Sequence, residues 1–238
     1  MQTLRREVGL GGAVMMGLGS IVGTGVFVSI GIAAGIAGPS LLLGIVLAAL
    51  VASANGMSSA QLAANHPVSG GTYEYGYRFL SPLLGFTAGW MFLVAKSASA
   101  ATAALGFSGY LLEALGAPAE GVLVPVAVAA VAALTIVVLT GIRRSSATNI
   151  VIVSITLLTL LAFVVTSAPA AFSRGGQTLR PFFATEASAV GPREVLFASA
   201  LLFVAYTGYG RIATLGEEVR EPRRTIPRAI VITLAVTM

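Results

Sequence analysis

Six apolar stretches, each long enough to cross a membrane, limit what this chain can fold into more than any other feature. A helix that crosses the hydrocarbon core of a bilayer needs about 20 mostly apolar residues. Of the 238 residues, 56% are hydrophobic and 10% are charged, and a water-soluble surface has no room for so much apolar side chain. The stretches cover residues 10–37, 40–64, 83–112, 122–142, 150–168 and 195–215. They predict an integral membrane protein.

The residue types that are absent exclude several classes of chemistry. The sequence has no cysteine, no aspartate and a single histidine, His66, so disulfide frameworks, zinc clusters and most hydrolytic constellations cannot be assembled. We therefore expect neither an enzyme nor a protein that binds a metal or cofactor. The formal charge is +5, but the basic residues occupy short loops between apolar stretches, which argues against nucleic acid as a partner.

Arginines in the loops predict the orientation, because cytoplasmic loops carry an excess of Lys and Arg. One set of alternate loops holds Arg5, Arg6, Arg78, Arg143, Arg144, Arg220, Arg223, Arg224 and Arg228. The other set holds only Arg174, Arg180 and Arg193. This bias predicts a multi-pass protein of the cell membrane with a cytoplasmic N-terminus. Alanine and leucine dominate the spans and no strand-like alternation of polarity is seen, so the spans are predicted to be α-helices.

Glycines accumulate in one segment of the first span. Four of them occupy positions 17, 19, 23 and 25. Each glycine in a helix interior costs about 1 kcal/mol relative to alanine. One interpretation is close helix packing through small residues spaced four apart. We favour that interpretation for the glycine pairs at positions 31 and 35 and at positions 85 and 89.

The other interpretation is that the first span unwinds near the middle of the membrane and exposes its backbone. We favour it for residues 17–25, because the glycines there lie on more than one face of the helix. Freed amides at the start of the second half attract a carboxylate, and freed carbonyls at the end of the first half attract an ammonium or another cation. An amino acid carries both groups, so this segment is predicted to bind one.

The sixth span repeats the pattern, because Gly208 and Gly210 interrupt it about halfway along. Two interrupted spans in corresponding positions of two halves are typical of inverted-repeat transporters. The predicted fold is an all-α, five-plus-five inverted repeat with broken first and sixth helices. Residues 1–168 form the first five-helix repeat, residues 169–193 an extracellular loop, and residues 194–238 the start of the second repeat.

A seventh apolar stretch begins near residue 228 and reaches only Met238. It is too short to cross a membrane. We expect the sequence to be a fragment of a longer transporter that is cut off after its sixth span. The alternative is a truncated gene product that serves as a membrane subunit without transporting. The sequence gives no prediction of the oligomeric state.

Three motifs resemble those of the amino acid/polyamine/organocation permeases. They are the broken segment at residues 19–27, GSIVGTGVF, the loop at residues 67–75, PVSGGTYEY, and the run of residues 203–228. They occur in the family's order and spacing along the whole chain, which is identified as resembling the N-terminal half of such a permease. The resemblance implies the five-plus-five fold, also termed LeuT-like, and amino acid transport that is often coupled to protons.

The resemblance also implies where the substrate and a coupling ion bind. The substrate carboxylate would lie on the amides of Gly23, Thr24 and Gly25. The ammonium would meet carbonyls near Ile21, Val204, Ala205 and Thr207. The ring of Tyr209 would cover the site as a gate. Carbonyls of Gly19 and Val22 would form one wall of the cation site found in sodium-coupled relatives.

Two cations within spans depart from this pattern. Many family members carry a lysine in the fifth span, where this chain has Thr156. Lys96 instead lies near the middle of the third span, where an unpaired charge costs about 3 kcal/mol or more and snorkelling cannot reach the interface. We predict that Lys96 acts as a surrogate cation or as a proton-titrating group. Arg211, near the end of the sixth span, is predicted to snorkel or to pair with Glu217 or Glu218.

The substrate class follows from the placement of acidic side chains. All nine glutamates lie at or outside the ends of the spans, so this part of the chain offers no counter-charge to a polyamine or another organic cation. Ile21, Thr24, Val204 and Ala205 around the break are small or apolar, which favours a neutral amino acid. Transport of a polyamine or organic cation stays open as an alternative, because later spans could supply a carboxylate.

Overall fold

A computed structural model of the chain describes residues 6–23, 25–139, 142–185 and 188–238, without the side chains of residues 142–146, 175 and 178. Several residues of the sequence predictions therefore lie outside the described part. They are Arg5, Thr24 and Glu186, and the side chains of Arg143 and Arg144.

The described residues form ten α-helices joined by short turns. The helices are α1 (Leu10–Ile21), α2 (Ile30–Ala37), α3 (Leu41–Asn65), α4 (Thr72–Phe79), α5 (Pro82–Ala114), α6 (Leu123–Leu139), α7 (Ile142–Arg174), α8 (Pro192–Tyr206), α9 (Gly210–Ala213) and α10 (Pro222–Thr237). A π-helical turn covers Gly25–Ser29, and 3₁₀ turns cover Gly38–Ser40, Gly175–Leu179 and Thr207–Tyr209. Within the described ranges there is no β-strand, only isolated bridges such as the one between Val8 and Val219.

Four stretches of described helix are long and apolar enough to cross a membrane. They are Leu10–Asn65, Pro82–Ala114, Ala147–Arg174 and Pro192–Ala213. The first is 56 residues long and contains both the first and the second predicted span, because only short turns separate α1, α2 and α3. The apolar helix α6 is shorter, at 17 residues. The prediction of an all-α, multi-pass membrane protein is confirmed.

The helices depart from the predicted spans in three places. α7 runs from Ile142 to Arg174 instead of residues 150–168, and α10 begins at Pro222 instead of near residue 228. Apolar composition marks only the part of a helix inside hydrocarbon, whereas the helix itself continues for as long as its backbone hydrogen bonds do. The short helix α4 occupies part of the loop predicted at residues 67–75, where Tyr75 is buried.

α3 and α8 form the centre of the bundle. α3 packs against α8 and α10, α1 packs against α10 and α7, and α2 packs against α8. In the most apolar stretch of the span Pro192–Ala213, 44% of the residues are buried, whereas the share is 6% for both Pro82–Ala114 and Ala147–Arg174. α5 and α7 therefore present most of their apolar surface to the outside, as helices surrounded by lipid do.

Two clusters of buried side chains lie at different heights along α3. One cluster joins Ala13 of α1 to Ala60 and Ala63 of α3 and to residues of α9 and α10. The other joins Ala33 of α2 to Ala48 of α3 and to residues of α8. The two halves of the first span thus belong to different cores, and the connection between these halves passes from one core to the other.

The chain is tied together at the end of the bundle where α1 begins. The amide of Val8 donates to the carbonyl of Glu218 at 3.0 Å, and the amide of Arg220 donates to the carbonyl of Val8 at 2.9 Å. A Cβ at Gly216 would lie 2.5 Å from the carbonyl carbon of Val68, so the two loops touch backbone to backbone. We call this end, defined by Val8, Val68 and Arg220, the basic end.

Candidate functional site

The first helix ends inside the first span. α1 finishes at Ile21, and the amide of Val22 makes the last helical hydrogen bond, to the carbonyl of Leu18 at 2.7 Å. Val22 itself is extended, with φ −78° and ψ 93°. The last four carbonyls of a helix have no donor within it. Among the residues that the structure describes, no backbone amide outside α1 donates to the carbonyls of Gly19, Ser20 or Ile21.

The chain becomes helical again only after Gly23. The carbonyl of Gly23 accepts hydrogen bonds from the amides of Val26 and Phe27, each at 3.1 Å, and these bonds start the π-helical turn Gly25–Ser29. The amide of Gly23 has no hydrogen-bond partner among the described residues. An open amide therefore follows directly on the open carbonyls of α1.

The sixth span changes from an α-helix to a tighter 3₁₀ turn but does not unwind. Thr207–Tyr209 is a 3₁₀ turn whose flanking residues keep right-handed helical angles, and it lies in the second half of the span Pro192–Ala213 instead of at its middle. The carbonyl of Val204 accepts from both the amide and the hydroxyl of Thr207, the latter at 2.7 Å. The predicted carbonyl site at Val204 is thus already hydrogen-bonded within its own helix.

The broken segment of the first span and the 3₁₀ turn of the sixth are in direct contact. A Cβ at Gly208 would lie 2.5 Å from Cγ1 of Ile21 and 2.6 Å from the carbonyl carbon and oxygen of Ser20. A Cβ at Gly25 would overlap the methyl group of Ala205. Glycine at both positions lets the two spans approach at backbone distance.

The glycines of the first span differ in their surroundings, since some allow close helix packing and one lies where the backbone is exposed. A Cβ at Gly17 would lie 2.5 Å from Ile212, and one at Gly19 would lie 2.5 Å from Oδ1 of Asn149, whereas one at Gly23 would meet nothing within 4 Å. Packing therefore explains positions 17, 19 and 25, and only position 23 is open. The prediction that packing does not explain residues 17–25 is wrong for those three glycines.

The two glycine pairs predicted to pack elsewhere behave differently from each other. A Cβ at Gly85 would lie 2.5 Å from the ring of Tyr77, and one at Gly89 would lie 3.3 Å from Cβ of Tyr73. At positions 31 and 35 a Cβ would meet no described atom within 4 Å. The packing predicted for positions 85 and 89 is found between α4 and α5, whereas positions 31 and 35 face open space.

A cavity of about 440 Å³ lies beside the break. Ile21, Val22, Gly25 and Ala205, all predicted site residues, line part of its wall. The other lining residues come from the π-helical turn, from α2, α3, α7 and α8 and from the end of α10, and they are apolar except for the hydroxyl groups of Tyr206 and Thr237. The cavity holds no carboxylate among its lining residues, so it suits an apolar or neutral group.

The structure places Tyr206, and not Tyr209, on this cavity. Tyr209 is 5% exposed, packs in the cluster of α1, α3 and α10, and its hydroxyl interacts with Ser59 of α3. Tyr206 is also buried, at 9% exposed, and packs in the cluster of α2, α3 and α8. The gate at Tyr209 stays a prediction, and sequence reasoning missed that Tyr206 is the tyrosine that lines the cavity.

Lys96 reaches the break from α5. Its ammonium lies 3.4 Å from the hydroxyl of Ser20 in the last turn of α1 and 5.7 Å from the ring centre of Phe92. The Thr156 hydroxyl bonds to the carbonyl of Ile152 one turn back in its own helix, at 2.9 Å. The cation next to the broken helix thus comes from the third span. Sequence reasoning missed Ser20 as its partner.

Arg211 is a second cation near the break, and its positive charge repels that of Lys96. Its own side chain is exposed. Within the described part of the chain, the ion pairs of this region do not include one between Arg211 and Glu217 or Glu218. The predicted pairing is not found, which leaves the interpretation that Arg211 extends toward solvent.

Gly19 and Val22 were predicted to offer carbonyls to a cation. The α1 backbone around Gly19 is held by Asn149 of α7, whose amide nitrogen donates to the carbonyl of Met15 at 3.3 Å. Val22 lines the cavity. The two residues lie at the open end of α1, and the structure shows no second wall for a cation between them and another described helix.

Comparison with known proteins gives a consistent result. The profile of the family described as "Amino acid permease" matches residues 12–238. An uncharacterized transporter of Mycobacterium tuberculosis is 47% identical over 99% of this chain and 50% of its own length. A branched-chain amino acid permease of Bacillus subtilis is 30% identical over 99% of the chain and 52% of its own. A methylthioribose transporter of the same organism is 28% identical over 99% of the chain and 53% of its own. The chain spans about half the length of these relatives.

Proposed function

Since the chain belongs to the amino acid permease family, a family of transporters and not of enzymes, we propose that it is part of a secondary active amino acid permease. Residues 1–168 form the first five-helix repeat and residues 194–238 begin the second, with the N-terminus in the cytoplasm. The permease moves its substrate across the cell membrane by alternating access, with a proton as the coupling ion and without a cofactor.

One observation carries this proposal: the break in the first span opens an amide next to helix-end carbonyls beside a cavity. The carboxylate of an amino acid lies on the amides of Gly23 and Gly25; Thr24, which the sequence assigns to the same group, lies outside the described residues. The ammonium lies on the carbonyls at the end of α1, at Ser20 and Ile21, where the helix dipole is negative. The carbonyl of Val204 contributes less to binding of the ammonium, because it already accepts hydrogen bonds from the amide and the hydroxyl of Thr207.

The substrate side chain is neutral and apolar. The cavity beside the break is lined by Ile21, Val22, Ala205 and the leucines of α7 and carries no carboxylate, so a cationic side chain would be desolvated there without a counter-charge. A relative that carries the name of a branched-chain amino acid permease supports this choice. Leucine, isoleucine and valine are the proposed substrates.

Thermal unfolding of the purified permease that contains this sequence tests the substrate class. We expect leucine, isoleucine and valine to raise the unfolding temperature by about 5 °C or more at about 100 times the dissociation constant, because a ligand that binds only the folded state stabilises it. Glycine and glutamate serve as matched controls at the same concentration. Stabilisation by arginine, lysine or putrescine alone would contradict the proposal and support the organic-cation alternative.

The aromatic cover of the site gives a second measurable outcome. Replacing Tyr206 with alanine removes a ring from the cavity wall, and the loss of its apolar contact, roughly 1.5 to 3 kcal/mol, is expected to raise the KM for uptake about tenfold or more. Tyr209→Ala is the control, since its ring packs in the other cluster and its loss lowers the unfolding temperature without raising KM. A larger increase in KM for Tyr209→Ala than for Tyr206→Ala would instead identify Tyr209 as the gate.

A further inference from the structure

A second cavity opens at the basic end, away from the proposed substrate site. It has a volume of about 410 Å³ and is lined by Arg6, Pro67, Glu221, Pro222, Arg223 and Arg224. Three separate segments therefore meet around it: the chain before α1, the loop between α3 and α4, and the first turn of α10. We call it the arginine cleft.

The arginine cleft carries more positive charge than its own residues compensate. Three guanidinium groups face one carboxylate, and the Glu221 carboxylate is 3.9 Å from Nη1 of Arg224, with both side chains largely exposed. A pair of that kind contributes about 0 to 1 kcal/mol. Nε of Arg220, outside the lining, donates to the carbonyl of Arg6 at 3.4 Å. The same loop carries Glu217 and Glu218, so the excess of positive charge is that of the three arginines that line the cleft.

The three guanidinium groups repel one another, and the backbone contacts of their segments keep them around the same cleft. The bridge between Val8 and Val219 fixes the segment that carries Arg6, and the first turn of α10 fixes Arg223 and Arg224. The dipole at the start of α10 adds positive charge to the same place. An anion placed among the three guanidinium groups would therefore be attracted by all three without moving the backbone.

We propose that the arginine cleft binds a phosphate group, supplied either by an anionic lipid headgroup or by phosphate free in the cytoplasm. Guanidinium groups match phosphate oxygens in a bidentate way. The cleft lies where α10 enters the apolar part of the bundle, the level at which basic pockets on the cytoplasmic side of a membrane meet lipid headgroups. The site does not depend on which amino acid the permease carries.

The bound phosphate would add a polar link between segments that already touch through backbone hydrogen bonds and through the packing of α1 on α10. Arg6 belongs to the chain before α1, and Arg223 and Arg224 belong to α10. A phosphate shared by them adds a link between the start of the first span and the start of the seventh. Occupancy of the arginine cleft thereby stabilises the contact between the segment before α1 and the start of α10.

Native mass spectrometry of the full-length permease in detergent tests the proposal, with phosphatidylglycerol and phosphatidylcholine as probes at equal concentrations. The variant Arg6→Gln/Arg223→Gln/Arg224→Gln is expected to lose about 100-fold in apparent affinity for phosphatidylglycerol, at roughly fivefold per arginine. The matched control is Arg174→Gln/Arg180→Gln/Arg193→Gln, which removes the same charge from the predicted extracellular side and is expected to stay within about twofold of the wild type.

Thermal unfolding without lipid checks that both triple variants fold, and Arg223→Gln alone, expected to lose about fivefold, replaces the triple variant if it does not. A second arm adds inorganic phosphate. Retention of phosphatidylglycerol in excess phosphate identifies lipid as the source, whereas arginine-dependent stabilisation by inorganic phosphate without phosphatidylglycerol binding identifies free phosphate. Equal binding of the two lipids with no effect of phosphate, or equal losses in the two triple variants, would overturn the proposal.

Discussion

Gly208→Ala is expected to reduce transport at least about tenfold and to lower the unfolding temperature of the permease by several degrees. The added methyl group would lie 2.6 Å from the carbonyl carbon and oxygen of Ser20. A flexible side chain can move away from such a contact, but the backbone at the end of α1 cannot move without displacing the open carbonyls. Overpacking of this kind costs about 1 to 3 kcal/mol or more. For a permease about twice as long as this chain, each kcal/mol corresponds to a shift of roughly 1 to 2 °C.

Gly210→Ala is the matched control, two residues further along the same span. A Cβ there would meet nothing within 4 Å, and alanine is the better helix former by about 1 kcal/mol. Uptake kinetics and thermal unfolding should therefore be unchanged or slightly improved. If Gly208→Ala transports as well as Gly210→Ala, the close contact between the first and sixth spans does not position the site.

Gly208→Ala also separates positioning from stability. Gly208 packs on the backbone carbonyl of Ser20 and on the side chain of Ile21, and the substrate ammonium is assigned to the carbonyls of these two residues. If alanine at position 208 displaces the end of α1, the KM should rise in the protein that remains folded. Measuring KM and the amount of folded protein in the same membranes distinguishes the two effects. A drop in folded protein with an unchanged KM would show that Gly208 only supports packing.

The sequence predicts where the first span is weak, but it does not predict which neighbour each glycine faces. Helix propensity is a local property, so four glycines in nine residues mark the segment without any knowledge of the fold. The roles of Gly17, Gly19 and Gly25 depend on Ile212, Asn149 and Ala205, which come from three other helices. Only the positions of those helices distinguish the three packed glycines from the open one at position 23.

The two tyrosines of the sixth span are a second case in which spacing along the chain does not predict the neighbours of a side chain. Tyr206 and Tyr209 are three residues apart, and the helix between them changes from α to 3₁₀. The rotation per residue changes with it, from about 100° to about 120°. The face that each ring occupies therefore cannot be predicted from spacing alone, and only the structure shows that Tyr206 lines the cavity while Tyr209 packs in the other cluster.

The limits of the apolar stretches predict α3 and α5 well, because the apolar composition of these helices continues close to their ends, and their bounds differ from prediction by at most two residues. They fail for α7, where charged and polar residues extend the helix at both ends. They also give no sign of α4, a short helix whose Tyr75 is buried because it packs on α5. Tertiary contact, not local composition, makes that segment helical.

Lys96→Met is expected to abolish the pH dependence of uptake, so that the ratio of rates at about pH 5.5 and about pH 7.5 falls to about 1. Lys96 is the one lysine of the sequence, and its ammonium lies 3.4 Å from the Ser20 hydroxyl at the open end of α1. A proton gained or lost there changes the charge next to the proposed ammonium site directly. A charge in mid-membrane costs about 3 kcal/mol or more, so the methionine variant should be at least as stable as the wild type.

Lys96→Arg separates the charge of this side chain from its titration, because arginine stays protonated at every pH at which the permease can be assayed. If Lys96 couples a proton, both Lys96→Met and Lys96→Arg lose the pH dependence of uptake. If Lys96 serves as a fixed surrogate cation, Lys96→Arg keeps substrate binding and Lys96→Met loses it. Ser20→Ala, which removes the hydrogen-bond partner and leaves the charge, should retain the pH dependence with a raised KM. Wild-type pH dependence in Lys96→Met would exclude the proton-coupling role, and wild-type substrate binding in the same variant would exclude the surrogate-cation role, because no other lysine of the sequence could replace the missing group.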